Sequence, residues 1–177
     1  MKLPATSRRI VVDTNVARSA STSQHPISDA CRQALETLQD EQHRIVLSAT
    51  QLREWQKHQS GFSKNWLVQM FSRKLCIPLN PEPDSGLADS VYSLDCTDKA
   101  RAEMLKDIHL LENALATDDM VLSQETNVLN LFTFYASALR IPRQVAWVHP
   151  VTHVPACIEW LQDGAEISKA TCVPAGA

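Results

Sequence analysis

The sequence predicts an α/β domain built in three layers, with helices on both faces of a central parallel sheet. Three observations lead there. Four short apolar runs do not alternate with polar residues, and segments of helical period separate them. The 177-residue length suits one core, since single domains span about 100–200 residues.

The first run is Ile10-Val11-Val12, followed by Ile45-Val46-Leu47, Met120-Val121-Leu122 and Val145-Ala146-Trp147-Val148. Uninterrupted runs rich in branched residues suit strands covered on both faces. Between the first two, residues 28–39 place Ala30, Ala34, Leu35 and Leu38 near one helical face, with Ser28 as the N-cap. Two further helices are expected over 51–59 and 63–75. Residues 77–90, carrying Pro78, Pro81, Pro83 and Gly86, read as a loop. Thr97 or Asp98 caps a long helix reaching Ala116, in which Met104, Ile108, Leu111 and Leu115 recur at helical spacing. Helices over 128–139 and 156–162 complete the set. The expected division is one domain over 1–164 and a loosely held C-terminal tail over 165–177.

Hydrophobic residues make up 44% and charged residues 21%, which is ordinary for a soluble globular chain. No apolar run approaches the ~18–20 residues of a membrane span. Residues 1–9 lack the apolar stretch of a secretory signal. A cytoplasmic protein with no membrane association is therefore expected. Five widely spaced cysteines without a CxxC pair read as free thiols rather than a zinc site.

The net charge of −3 is unevenly spread. Arg53, Lys57, His58, Lys64, Arg73 and Lys74 face a single acid, Glu54, over residues 53–74, whereas acids dominate residues 82–125. A basic stretch beside an acidic one suits a protein that holds a polyanion near a cation pocket, with Arg53, Lys57 and Lys64 as substrate-binding candidates. Ordinary solvated helix faces produce the same pattern.

In open parallel sheets, ligands bind beyond the carboxyl ends of the strands. Asp13 ends the first run, and Thr14 and Asn15 follow it. Ser48 ends the second, with Glu54 a few residues on, and Ser123-Gln124-Glu125 follows the third. Asp107 lies in the long helix before that third strand, and an antiparallel course would bring it to the same rim. Four converging carboxylates repel one another unless a hard cation neutralises them, and Mg²⁺ or Mn²⁺ is the natural occupant.

The set Val12-Asp13-Thr14-Asn15-Val16, Ser48 with Glu54, Asp107-Ile-His-Leu-Leu-Glu-Asn-Ala-Leu115 and Val121-Leu122-Ser123-Gln124-Glu125 resembles the PIN-domain nucleases. Their pattern is Asp-x-Asn at the first strand, Glu early in the second helix, Asp on the helix before the third strand, and Thr/Ser-x-Asp after it. The resemblance spans residues 9–150 and departs from the pattern at Glu125, where Asp is commoner. It implies a three-layer PIN-like α/β/α fold. It also implies catalytic metal ligands at Asp13, Glu54 and Asp107, and Glu125 as a ligand or an outer acceptor. Asn15 would orient a ligand or phosphate, and Ser123 would bind a metal-held water. The implied reaction is RNA phosphodiester hydrolysis that leaves a 5′-phosphate and a 3′-hydroxyl. An antitoxin partner and a homodimer belong to the same resemblance.

Blander readings stand beside these. Glu54 also suits a surface salt bridge, worth about 0.3–0.5 kcal/mol, and Glu125 a helix cap. Asp118 and Asp119 precede the third strand and read as turn acids, a strand length of roughly 13 Å from the pocket. His109 and Glu112 read as a packed or surface pair. His149, His153 and Cys157 recur at four-residue spacing, but Pro150 and Pro155 disfavour the helix that would align them. Trp55, Phe62, Trp66 and Phe71 either stack on bases or fill the core.

With only four glycines, none near Asp13, neither a dinucleotide site nor a phosphate loop can form, so no nucleotide cofactor is expected. An aspartyl-phosphate phosphatase would want Asp where Asn15 stands. The remaining competitor is a catalytically inactive PIN-like module that binds RNA or protein.

Overall fold

The computed structural model describes residue 4, residues 6–153 and residues 156–176. The four expected strands form as β1 (Arg9–Val12), β2 (Arg44–Ser48), β4 (Met120–Leu122) and β5 (Val145–Val148). Two more, β3 (Cys76–Leu79) and β6 (Cys172–Val173), complete a six-stranded sheet in the order β3-β2-β1-β4-β5-β6. All neighbours run parallel except β5 and β6. The chain moves outward from β1 through β2 to β3, then returns to the other side of β1 for β4. A crevice therefore opens beyond the ends of β1 and β4, where the direction of winding reverses.

The helices follow as α1 (Thr14–Ser19), α2 (Pro26–Asp40), α3 (Ala49–His58), α4 (Gly61–Ser72), α5 (Leu87–Tyr92), α6 (Asp98–Leu115), α7 (Thr126–Phe134), α8 (Ala136–Leu139) and α9 (Ala156–Gln162). Successive strand residues point to opposite faces, which explains why the strands read as continuous apolar runs. Ile10 and Val12 pack with Leu35, Trp55, Met70 and Leu161 of α2, α3, α4 and α9. Val11 and Val46 pack with Met104, Leu111 and Phe132 of α6 and α7 on the other face. The side chains of both layers are buried, and full burial of such a side chain contributes about 1.5–3 kcal/mol.

Several boundaries differ from the sequence expectation for identifiable reasons. Within the expected loop over 77–90, β3 and α5 form. β3 is an edge strand, a position in a sheet where a proline such as Pro78 is tolerated. α2 begins at Pro26, so Ser28 lies inside its first turn and caps nothing. The helix expected over 128–139 divides into α7 and α8 at Tyr135. In place of a loose tail after Gly164, residues 165–176 return to the body. Ala165 and Val173 are fully buried, and β6 pairs with β5 through Val145↔Val173.

All five cysteines are free thiols, with Cys31 and Cys157 buried. No helix among the described residues is long and apolar enough to cross a membrane. Part of the 1–9 stretch and Pro155, which entered the sequence argument, lie outside the described residues.

Candidate active site

The crevice at the β1/β4 reversal is a cleft of about 360 Å³, and all four expected acids line it. Asp13 leaves the end of β1 and serves as the N-cap of α1. Asp107 sits on α6 beside the buried Ile108, and Asp13 and Asp107 are only 8% and 9% exposed as residues. Glu54 comes from α3 and lies 3.7 Å from His58, one turn along the same helix. Glu125 occupies the N-cap position of α7, yet its side chain makes no capping hydrogen bond. Its carboxylate is therefore not consumed by the capping role that the sequence allowed. Thr14, Asn15, Arg18, Thr50, His58, Lys106 and His109 complete the lining.

Burial of the acids has an electrostatic consequence. Asp107 is pushed up to about 6, first by burial and then by the neighbouring charge of Asp13, with Lys106 opposing and Glu125 and Glu103 adding to the rise. Asp13 is raised too, chiefly by burial, although hydrogen bonds from Ser123 and Asn15 and the nearby His109 pull it back. His109 is lowered by burial, against the attraction of Asp13, Glu54 and Glu82. A cleft with these tendencies holds its negative charge at a disadvantage unless a cation shares it. Among the described residues, however, no three His, Cys, Asp or Glu side chains are drawn close enough together to chelate one ion. The acids surround a gap rather than a finished ligand cage. Oxygen donors without thiolates fit a hard divalent ion that keeps part of its water shell.

The supporting residues brace the acids and the loop after β4. Ser123 is fully buried and donates its hydroxyl to Asp13 Oδ2 at 2.6 Å. Ser123 Oγ in turn accepts from the Glu125 backbone N–H at 2.9 Å, with Asn15 Nδ2 at 3.5 Å. It orients Asp13 and braces the loop that carries Glu125. Asn15 likewise turns inward: its Oδ1 accepts from the Gln124 N–H at 3.2 Å, which fixes the loop after β4. It clamps this loop while lining the cleft.

The basic candidates also need correction. Arg53, Lys57 and Lys64 are exposed and none lines the cleft, though Arg53 reaches Thr50, which does. Arg18 and Lys106 are the permanently charged cations in the lining. Base stacking by two of the aromatics is excluded by packing. Trp55 and Trp66 are buried and stack on each other at 5.9 Å, whereas Phe71 is half exposed. The turn-acid reading holds for Asp118, which accepts from the Arg9 N–H at 2.7 Å, and for Asp119, paired with Arg143 at 2.9 Å. In the 149–157 segment, His149 Nδ1 accepts the Val151 and Thr152 N–H groups and so shapes a turn.

Sequence reasoning did not find Arg18 or Lys106, and it read His109 as merely packed or superficial. His109 contacts Gln51, 58 positions away, at 2.9 Å. No local pattern carries such a signal. A roomier hollow of about 590 Å³ between α2 and α4 has Glu36 as its one charged residue, and two others larger than the cleft, lined by Asp89, Asp95 and Arg140 or by Arg8, Asp118, Asp119 and Glu166, hold none of the four expected acids. No family model, curated protein or solved structure matches the chain.

Proposed function

We propose that this protein is a Mg²⁺- or Mn²⁺-dependent endoribonuclease that works from the β1/β4 cleft. The observation that supports the reading is the arrival of Asp13, Glu54, Asp107 and Glu125, from four separate parts of the chain, at one opening. Asp13 and Asp107 would hold the ion most directly, since both are buried and both are raised by burial. Glu54 and Glu125 would close the ligand set from the more exposed side. A divalent ion, when bound, neutralises phosphodiester charge and makes a water nucleophilic at neutral pH. Ser123 keeps Asp13 in one orientation by donating to Oδ2. Arg18 and Lys106 would attract the phosphates on either side of the cut. Hydrolysis forms a new oxygen–phosphorus bond and breaks the bond to the 3′ oxygen, leaving a 5′-phosphate and a 3′-hydroxyl. A toxin role, an antitoxin partner and a homodimer follow from the same reading as proposals.

Two observations favour a second reading, a catalytically inactive module that binds RNA or protein. The acids are not gathered to chelating distance, and Glu54 already has His58 as a neighbour. Labelled RNA incubated with increasing Mn²⁺, with reversal by EDTA, separates the two. Cleavage that Asp13→Asn abolishes, with the fold intact, is the expected result. RNA binding indifferent to metal, with no product at any concentration, selects the inactive module. Toxicity on expression, relieved by the same substitution, would test the toxin role.

A further inference from the structure

A set of polar contacts at the back of the cleft, of which His109 alone reaches the lining, is given no role in the chemistry proposed above. Val12 is the last residue of β1 and directly precedes Asp13. Its carbonyl accepts two side-chain hydrogen bonds, from Gln51 Nε2 at 2.5 Å and Trp55 Nε1 at 3.0 Å. With its nitrogen so committed, Gln51 turns Oε1 toward His109 Nε2 at 2.9 Å. The opposite amide orientation would set two carbonyl oxygens against each other, so Gln51 presents an acceptor, Oε1, to His109 Nε2. Gln51 is fully buried. One turn further along α6, Asn113 Nδ2 donates to Ser48 Oγ at 3.1 Å, and Ser48 caps α3 by accepting the Gln51 N–H at 3.2 Å.

The first turn of α3 thus grips the end of β1 on one side and α6 at two points on the other. Asp13 follows Val12 by one position, and Asp107 precedes His109 by two. An apolar pair of similar volume would hold these elements together at least as well, because burying polar groups carries a desolvation penalty. Directional hydrogen bonds add a defined spacing and orientation. We infer that Gln51 and His109 are positioning residues, an amide–imidazole strut that fixes the separation of Asp13 and Asp107 for the divalent ion. This rests on the metal-binding reading above and deepens it.

The test is Mn²⁺ affinity of the full chain by titration calorimetry, run alongside circular dichroism to keep every variant in its folded range. Gln51→Leu and His109→Leu should each weaken Mn²⁺ binding about 10–100-fold, as loss of an outer partner of a metal site does. The double variant should bind no worse than the weaker single one, because both break the same connection. His109→Gln, which keeps a donor facing Gln51, should recover most of the affinity. If Gln51→Leu does not fold, the contrast between His109→Leu and His109→Gln carries the test. Affinities within twofold of the unsubstituted chain, or losses that multiply in the double variant, overturn the strut. An unsubstituted chain that binds no Mn²⁺ overturns both the strut and the metal-dependent reading. Normal binding unaffected by the variants overturns the strut alone.

Discussion

Asp107→Asn should make the metal-free protein more stable at neutral pH. The folded-state carboxyl sits at about 6 against an ordinary 3.8, so the native state binds this proton more tightly than the unfolded chain does. Such a group costs nothing below the unfolded value. Its penalty grows as pH rises from about 4 to 6 and is constant above that. The full difference corresponds to about 3 kcal/mol. Water entering the open cleft screens part of it, leaving about 1–2 kcal/mol. For a chain of this size that is about 3–6 °C in melting temperature. Urea and thermal unfolding in EDTA at pH 7.5 should show the gain, and the same measurement at pH 4 should show little. Mn²⁺ at about 100 times its dissociation constant should stabilise the unsubstituted chain by about 2.7 kcal/mol and the Asn variant hardly at all. An Asn variant less stable than the parent in EDTA, or a gain independent of pH, would refute the electrostatic account of the cleft.

Two other outcomes test the surroundings of the site. Ser123→Ala removes the donor to Asp13 and the acceptor of the Glu125 N–H. It should cost about 1–3 kcal/mol in urea unfolding, the range for stranding buried polar partners; an unchanged midpoint would show that Asp13 is held by something else. Val173→Ala deletes two methyl groups from a fully buried position in β6 and should cost about 1–2 kcal/mol. A loosely held tail would give no change.

Much of the fold was legible because burial on both faces writes itself into sequence as an unbroken apolar run. β1, β2, β4 and β5 are such runs. β3 was hidden by Pro78, which a central strand cannot hold but an edge strand can. β6 is two residues long, too short for any period to emerge. α1 escaped because Asp13, Thr14 and Asn15 drew attention as chemistry, although Asp13 also caps that helix. The acids were legible for a different reason: each follows a strand or sits beside an apolar stripe, so topology alone directs them to one rim. What those acids touch was not. Ser123 and Asn15 spend their hydrogen bonds on Asp13 and the Gln124 loop, and Gln51 meets His109 across the fold. Side-chain pairing at long range leaves no trace in spacing.

Pro78 and the two-residue β6 occupy the outermost positions of the sheet, at opposite sides. A visiting chain seeking to extend the ladder would meet a missing N–H at one border and almost no length at the other. Fibril-like stacking through these borders is thereby discouraged. The two borders thus shield the sheet by different means, one by a side-chain ring and one by brevity.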